Sequence, residues 1–226
     1  MNKGTDAYQR DNLCVVVADF IKEQILMGRY KAGDHVLEQE IAGTLGISRS
    51  PVREGIKELE KEGIVTVTPR KGTCITSFTT KDIKEVFDIR ILHENDIFRI
   101  LIEEDRLTGA DFETLETMVA NMIAVVESQR DEVAKAVLIN QMDMEFHRYI
   151  WGKTDSKRRM NILQGIYFQL RIAMLYDTDK TGDLMLTATS HLKIVEALRM
   201  KDLEACKKAL VDHIVSYREG KFTESA

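Results

Sequence analysis

Apolar residues in the first third of the chain recur in short helical stripes, each closed by a glycine. Leu13 to Met27 keeps helical spacing up to Gly28, Glu38 to Leu45 is a second short stripe followed by Gly46-Ile47, and Arg49 to Glu62 is a third that stops at Gly63. The period then changes. Ile64 to Phe78 reads IVTVTPRKGTCITSF, two β-branched runs around Pro69-Arg70-Lys71-Gly72, which predicts a hairpin. Thr79-Thr80-Lys81-Asp82 is suited to start a helix, and from there to Arg218 no segment reads as a strand. A small α/β unit over 1–78 followed by an all-helical bundle over 79–226 is therefore expected, and the chain as a whole is expected to be mainly α.

The second and third stripes have the spacing of a helix-turn-helix. Small Ala42 stands where two helices would cross, Gly46 lies in the turn, and Val52, Ile56 and Leu59 anchor the third helix at i, i+4 and i+7. Ser48 or Ser50 is suited to cap that helix, with Pro51 in its first turn. Arg49, Arg53 and Lys57 form a cationic stripe that begins at the helix N-terminus, the end such proteins insert into the major groove. A solvated amphipathic helix explains the stripe equally well, because Glu54, Glu58 and Glu62 provide i, i+4 partners. The basic hairpin tip favours the nucleic-acid reading, since a wing resting on the sugar-phosphate backbone needs such a tip.

These residues resemble a known family. GRYKAGDHVLEQEIAGTLGISRSPVREGIKELEKEGIVTVTPRKGTCI looks like the winged helix-turn-helix of GntR-type bacterial transcription regulators, with SRSPVRE its most specific part. The resemblance implies that Arg49 and Arg53 read bases while Gln39, Ser48, Ser50 and Gly72 approach the backbone; Lys71 joins them from the basic tip. The chain has Gln39 where the family often has Arg, Ala32 where Pro is usual, and Gly55 where Ala is usual.

Charge separates the same two parts. The net charge of −5 falls entirely after residue 78, because the first 78 residues hold equal numbers of acids and bases. In the acidic part, Asp143 and His147 lie at i, i+4 in DMEFH and share a helix face. His191 leads a stripe with Ile194, Val195 and Leu198, and His213 sits with Ala209, Leu210 and Tyr217. Each histidine alone fits a hydrogen-bonded core residue; three imidazoles and a carboxylate converging from three helices would instead hold a first-row transition metal. On the helix from Ile83 to Leu101, Arg90 and Glu94 fall at the centre of an apolar face. They make either a mutual pair at the bundle's edge or a guanidinium aimed inward, where it would hold a ligand carboxylate bidentately.

The resemblance extends here. DIRILHE, DMEFH, SHLKIVEAL and VDHI, over residues 80 to 218, look like the FCD ligand-binding domain of the FadR subfamily of GntR regulators. It implies a divalent metal on Asp143, His147, His191 and His213, with open positions for a small carboxylate effector that Arg90 would also hold; the dominance of imidazole ligands favours Zn, Ni or Mn over Mg. The fatty-acyl-CoA branch lacks a complete metal set, so retention of all four favours a small organic acid. After FHRYI the chain reads WGKTDS, without the Asn commonly found there.

The implied molecule is a homodimeric transcription regulator that binds double-stranded operator DNA and no membrane. Its longest run without a charged residue, Met160 to Leu170, is 11 residues, too short to cross a bilayer. The three cysteines are scattered singly, which fits a reducing cytoplasm. Two rivals remain: a metal-dependent enzyme that activates water at the His/Asp site, and a structural metal in a bundle that only dimerises. No HExxH and no Gly-rich phosphate loop occurs, and Glu145 is expected to point away from the face of Asp143.

Overall fold

The computed structural model describes residues 3–181 and 183–214, with side chains described over 13–175 and 183–214. The chain separates into two compact units, Met1–Thr79 and Thr80–Ala226.

In the first unit, helix α1 (Lys3–Leu26) packs against α3 (Arg49–Lys61), which also meets α2 (Glu38–Leu45) and strand β1 (Val65–Thr68). Helix α1 begins ten residues before the expected stripe. Gly46 closes α2 in the left-handed region at φ 66°, which reverses the chain into Ser48, the N-cap of α3. The core is apolar and buried: Val17 and Ile21 from α1, Ile41 from α2, Val52, Ile56 and Leu59 from α3. Gly55 sits where α1 crosses α3, and a Cβ built there would lie 2.7 Å from Val17 Cγ1 and 2.9 Å from the Cys14 carbonyl oxygen. The gap between the helices is one side chain too narrow for alanine.

Strand β1 pairs antiparallel with β2 (Gly72–Ile75) in the register Val65↔Ile75 to Thr68↔Gly72, which buries Val65 and Ile75 together. The tip is Pro69-Arg70-Lys71, closed by Lys71 N–H donating to the Thr68 carbonyl at 3.0 Å. Arg70 there adopts φ 65° and Gly72 φ 91°. Residues 33–36 hydrogen-bond along the other edge of β2, so the small sheet leaves that edge covered.

The second unit is all-helical among the described residues: α4 (Thr80–Glu103), α5 (Gly109–Glu127), α6 (Glu132–Gly152), α7 (Lys157–Gly165), α8 (Tyr167–Thr181), α9 (Leu184–Arg199) and α10 (Leu203–His213). The chain breaks at Ile166, directly after Gly165, to separate α7 from α8. Helix α6 packs against α5, α8 and α9, while α10 lies against both α4 and α9. Buried Phe87, Phe98, Leu115, Met122, Phe146 and Trp151 fill the interior. Thr108 and Asp111 form a reciprocal capping box at the start of α5, which Tyr149 of α6 and Lys153, the residue that follows α6, tie down through the Asp111 carboxylate. The fold is mainly α, a winged helix-turn-helix followed by a helical bundle.

Candidate functional site

Four polar side chains meet inside the bundle. Asp143 and His147 come from α6, His191 from α9 and His213 from α10, and one ligating atom from each lies within 4.8 Å of all the others. All four are buried. The apolar stripes of α9 and α10 place the histidines, since Ile194, Val195 and Leu198 share the buried face of His191, and Ala209 and Leu210 that of His213. Tyr217, expected beside His213, lies outside the described residues.

The hydrogen bonds behind each ring determine which nitrogen faces the cluster. His147 Nδ1 lies 2.7 Å from Glu94 Oε2, and His191 Nδ1 lies 3.0 Å from the Thr187 carbonyl. Both partners only accept, so both rings carry their proton on Nδ1. His213 Nδ1 lies 2.8 Å from Ser190 Oγ, whose single proton goes to the Thr187 carbonyl at 2.8 Å. The serine must therefore accept, and the third ring has the same tautomer. All three Nε2 atoms turn bare lone pairs toward Asp143.

Burial acts against the charge of Asp143, which is a carboxylate when positive charge stands on the Nε2 side of His213 and His191; that charge overcomes burial and holds the carboxyl well below the usual range. Burial lowers His147, and Arg90 adds to the effect; burial likewise drives His213 down to about 3 against the pull of Asp143, so both rings are neutral. His213 Nε2 and His191 Nε2 approach Asp143 Oδ2 to 3.0 and 3.2 Å, yet neither carboxylate oxygen accepts a hydrogen bond. His147 Nε2 and His191 Nε2 are likewise buried without a partner. Converging acceptors with no donor among them are satisfied by a cation, and three imidazoles with one carboxylate suit a first-row transition metal.

Arg90 lies beside this set with no exposure. Its Nε donates to Glu94 Oε1 at 2.6 Å, while Nη1 and Nη2 are buried without a hydrogen-bond partner among the described residues, Nη2 standing 3.7 Å from Asp143 Oδ1. Burial pushes the Glu94 carboxyl up, but His147 and Arg90 overcome it and lower it to about 2. The pair thus forms as expected, but in the bundle's interior, not at its edge. A cavity of about 20 Å³ is lined by Arg90 and Asp143 together with Phe87, Met174, Thr187, His213 and Ile214. Glu145 is exposed and accepts from Gln141 at 2.9 Å, turned away from the cluster.

In the first unit, Ser48, Arg49, Ser50 and Arg53 are all exposed on the N-terminal half of α3. Ser48 makes no side-chain cap bond, so its hydroxyl is not committed to the helix. Gln39 accepts from Arg49 Nη2 at 3.1 Å, and Glu38 accepts from Arg53 Nε at 2.8 Å. Lys71 and Gly72 are exposed at the hairpin tip. Sequence reasoning did not single out Glu38, Thr187 or Ser190. Their partners are 15, 4 and 23 residues away, and only the Thr187 spacing follows a helix.

Residues 14–75 match the family described as bacterial regulatory proteins, gntR family, and residues 85–216 match the FCD domain. The chain belongs to the GntR family and carries an FCD domain. It is 29% identical over 85% of its length to an uncharacterized HTH-type transcriptional regulator, YdhC, of Bacillus subtilis, covering 84% of that protein. It is 30% identical over 92% of its length to a probable D-xylose utilization operon transcriptional repressor of Paenarthrobacter nicotinovorans, covering 88% of it. The fold is that of Escherichia coli McbR/YncC, with a TM-score of 0.72 at 19% identity over 94% of this chain and 98% of that one. This GntR protein is accordingly a DNA-binding transcriptional regulator and not an enzyme, as the names of its relatives indicate. Among the described residues no helix is long and apolar enough to cross a membrane.

Proposed function

We propose that this regulator senses a small organic acid at a metal held by Asp143, His147, His191 and His213, and that the acid controls its affinity for operator DNA. The observation that carries the reading is the buried convergence of bare Nε2 lone pairs and a carboxylate beside a guanidinium whose outer nitrogens have no hydrogen-bond partner among the described residues. The imidazole-rich donor set favours Zn, Ni or Mn over Mg. When bound, the metal supplies a Lewis-acidic centre with positions beyond the four protein donors for a carboxylate. Arg90 supplies a planar fork for an anionic group of the same ligand. The small cavity and its Phe87, Met174 and Ile214 walls favour a short acid over a long acyl chain.

Residues 1–78 form the DNA-binding part in this reading, and residues 79–226 the metal- and effector-binding part. Arg49 and Arg53 reach base edges, while Gln39, Ser48, Ser50, Lys71 and Gly72 contact the backbone. One 13-residue recognition helix offers few base contacts, which supports a homodimer on a roughly palindromic site and action in the cytoplasm, where the DNA is.

Elemental analysis of protein never exposed to a nickel column is expected to find about one divalent ion per chain. Titration with short mono- and dicarboxylates is then expected to change operator affinity by about 5- to 150-fold. Metal without any carboxylate response would reduce the site to a structural one. Absence of metal would remove the reading altogether.

A further inference from the structure

Among the described residues, Glu94 is the one carboxylate in the bundle interior that touches both halves of the proposed sensor without belonging to the four converging residues. We infer that Glu94 is a positioning residue that simultaneously sets the His147 tautomer facing the cluster and the orientation of the Arg90 guanidinium. The inference rests on the metal reading above, but its first test does not require a metal.

The geometry divides the two tasks between two oxygens. Oε1 accepts from Arg90 Nε at 2.6 Å and Oε2 accepts from His147 Nδ1 at 2.7 Å, with all three side chains fully buried. Because Arg90 is held through Nε, its Nη1 and Nη2 edge is left for the cavity. Because His147 gives its proton to Oε2, its Nε2 keeps a lone pair for the cluster. Helices α4 and α6 are thus joined by a group whose two partners are both donors.

Only a carboxylate satisfies two donors at once. Glutamine has nearly the same shape but one acceptor and one donor. If its oxygen faced His147, its NH2 would oppose the Arg90 Nε–H, and a guanidinium does not give up its proton to relieve the conflict. Its oxygen therefore goes to Arg90 and its NH2 to His147 Nδ1. That arrangement is satisfied only when the His147 proton moves to Nε2, where it occupies the direction the metal needs. Glu94→Gln exchanges one imidazole tautomer for the other and leaves the four ligand residues in place.

The primary experiment records long-range proton–nitrogen spectra of the histidine rings in full-length, chelator-treated protein, with His147 assigned by its loss in His147→Gln. Nδ1–H is expected for His147 in the natural chain, and Nε2–H there overturns the inference without any variant being needed. In Glu94→Gln the signal is expected to change to Nε2–H, and zinc affinity, measured by competition with a chromogenic chelator, to fall about 10- to 100-fold. The double variant Arg90→Met, Glu94→Gln frees the glutamine oxygen for His147, so the Nδ1–H form is expected to return; a purely space-filling Glu94 predicts no such reversal. An Nδ1–H ring in folded Glu94→Gln, or an Nε2–H ring in the double variant, overturns the assignment. If the natural chain has the expected tautomer but takes up no zinc, nickel or manganese, the metal reading fails while the hydrogen-bonding role of Glu94 stands.

Discussion

Arg53 on α3 donates its Nε–H to Glu38 on α2 at 2.8 Å, so an arginine proposed to read bases is already held by an acid from the preceding helix. The contact leaves the outer guanidinium nitrogens for a guanine edge and places a negative charge where DNA phosphates would approach. Both side chains are well exposed, at 60% and 36%, so the pair adds little to stability. Arg53→Ala is expected to weaken binding to the cognate site by about 1–3 kcal/mol and relax specificity, whereas Lys71→Ala is expected to weaken all sequences alike. Glu38→Gln is expected to strengthen binding to random DNA and narrow the gap between specific and random sites, with unchanged thermal stability. Equal losses on cognate and random DNA for Arg53→Ala would remove it from the base-reading set.

Gly55 carries a second expectation, this one about packing. In an isolated helix, alanine there would be better by about 1 kcal/mol. Here its Cβ would press on Val17 and on the Cys14 carbonyl oxygen, and a backbone atom inside a helix has little room to withdraw. Overpacking of this kind typically costs about 1–3 kcal/mol, so Gly55→Ala is expected to lower the melting temperature of the protein. Adding Val17→Ala is expected to restore only part of the loss, because the contact with the carbonyl remains. A melting temperature at or above that of the natural chain would show that α1 shifts freely.

The period change at Ile64, the glycine stops and the α3 stripe make the winged unit legible in the sequence, because local spacing and turn chemistry dictate those features. Each of the four converging residues was legible for the same reason: a polar group on an apolar helical face must find a buried partner. What was not legible was the choice between interior and edge for Arg90 and Glu94, since an i, i+4 pair looks the same in both places. Ser190 and Thr187 were missed because their parts depend on which nitrogen of a distant ring they face. The tight fit at Gly55 was not legible, because the residue it accommodates, Val17, lies 38 positions away on a helix whose crossing point the sequence does not mark.

Acid is expected to destabilise the metal-free protein. In the unfolded chain His147 and His213 titrate near 6.5, whereas burial lowers both in the fold, His213 to about 3. Below about 6.5 the unfolded state therefore binds more protons than the folded one, so stability falls as pH falls and the loss for His213 is complete near 3. Glu94, held against burial below the ordinary carboxylate range at about 2 by His147 and Arg90, adds a second loss that begins near its unfolded value of about 4. Melting curves of chelator-treated protein between pH 7.5 and 5.5 isolate the histidine contribution. A melting temperature that stays level or rises over that interval would mean that the rings are protonated in the fold.

Arg90 and Glu94 together make the strongest case for a stability measurement. Both are fully buried and their contact is 2.6 Å, so each is the counter-charge that makes burial of the other tolerable. Arg90→Ala removes the cation and leaves Glu94 with His147 alone, a change expected to lower stability by about 3–5 kcal/mol. A lost carboxylate response in that variant would therefore report damage to the bundle as readily as loss of a ligand contact. The replacement Arg90→Met, Glu94→Gln avoids this difficulty, since it fills similar volume and leaves no charge unpaired at the two positions. It is expected to be within about 1–2 kcal/mol of the natural chain, or more stable, because exchanging a buried ion pair for neutral groups is often neutral or favourable. Metal binding is then expected to survive while the response of operator affinity to a short carboxylate disappears, which separates the ligand-holding fork from the structural ion pair. A double variant that unfolds like Arg90→Ala would assign the pair to the bundle's architecture, and one that still responds at unchanged carboxylate concentration would remove Arg90 from the effector site.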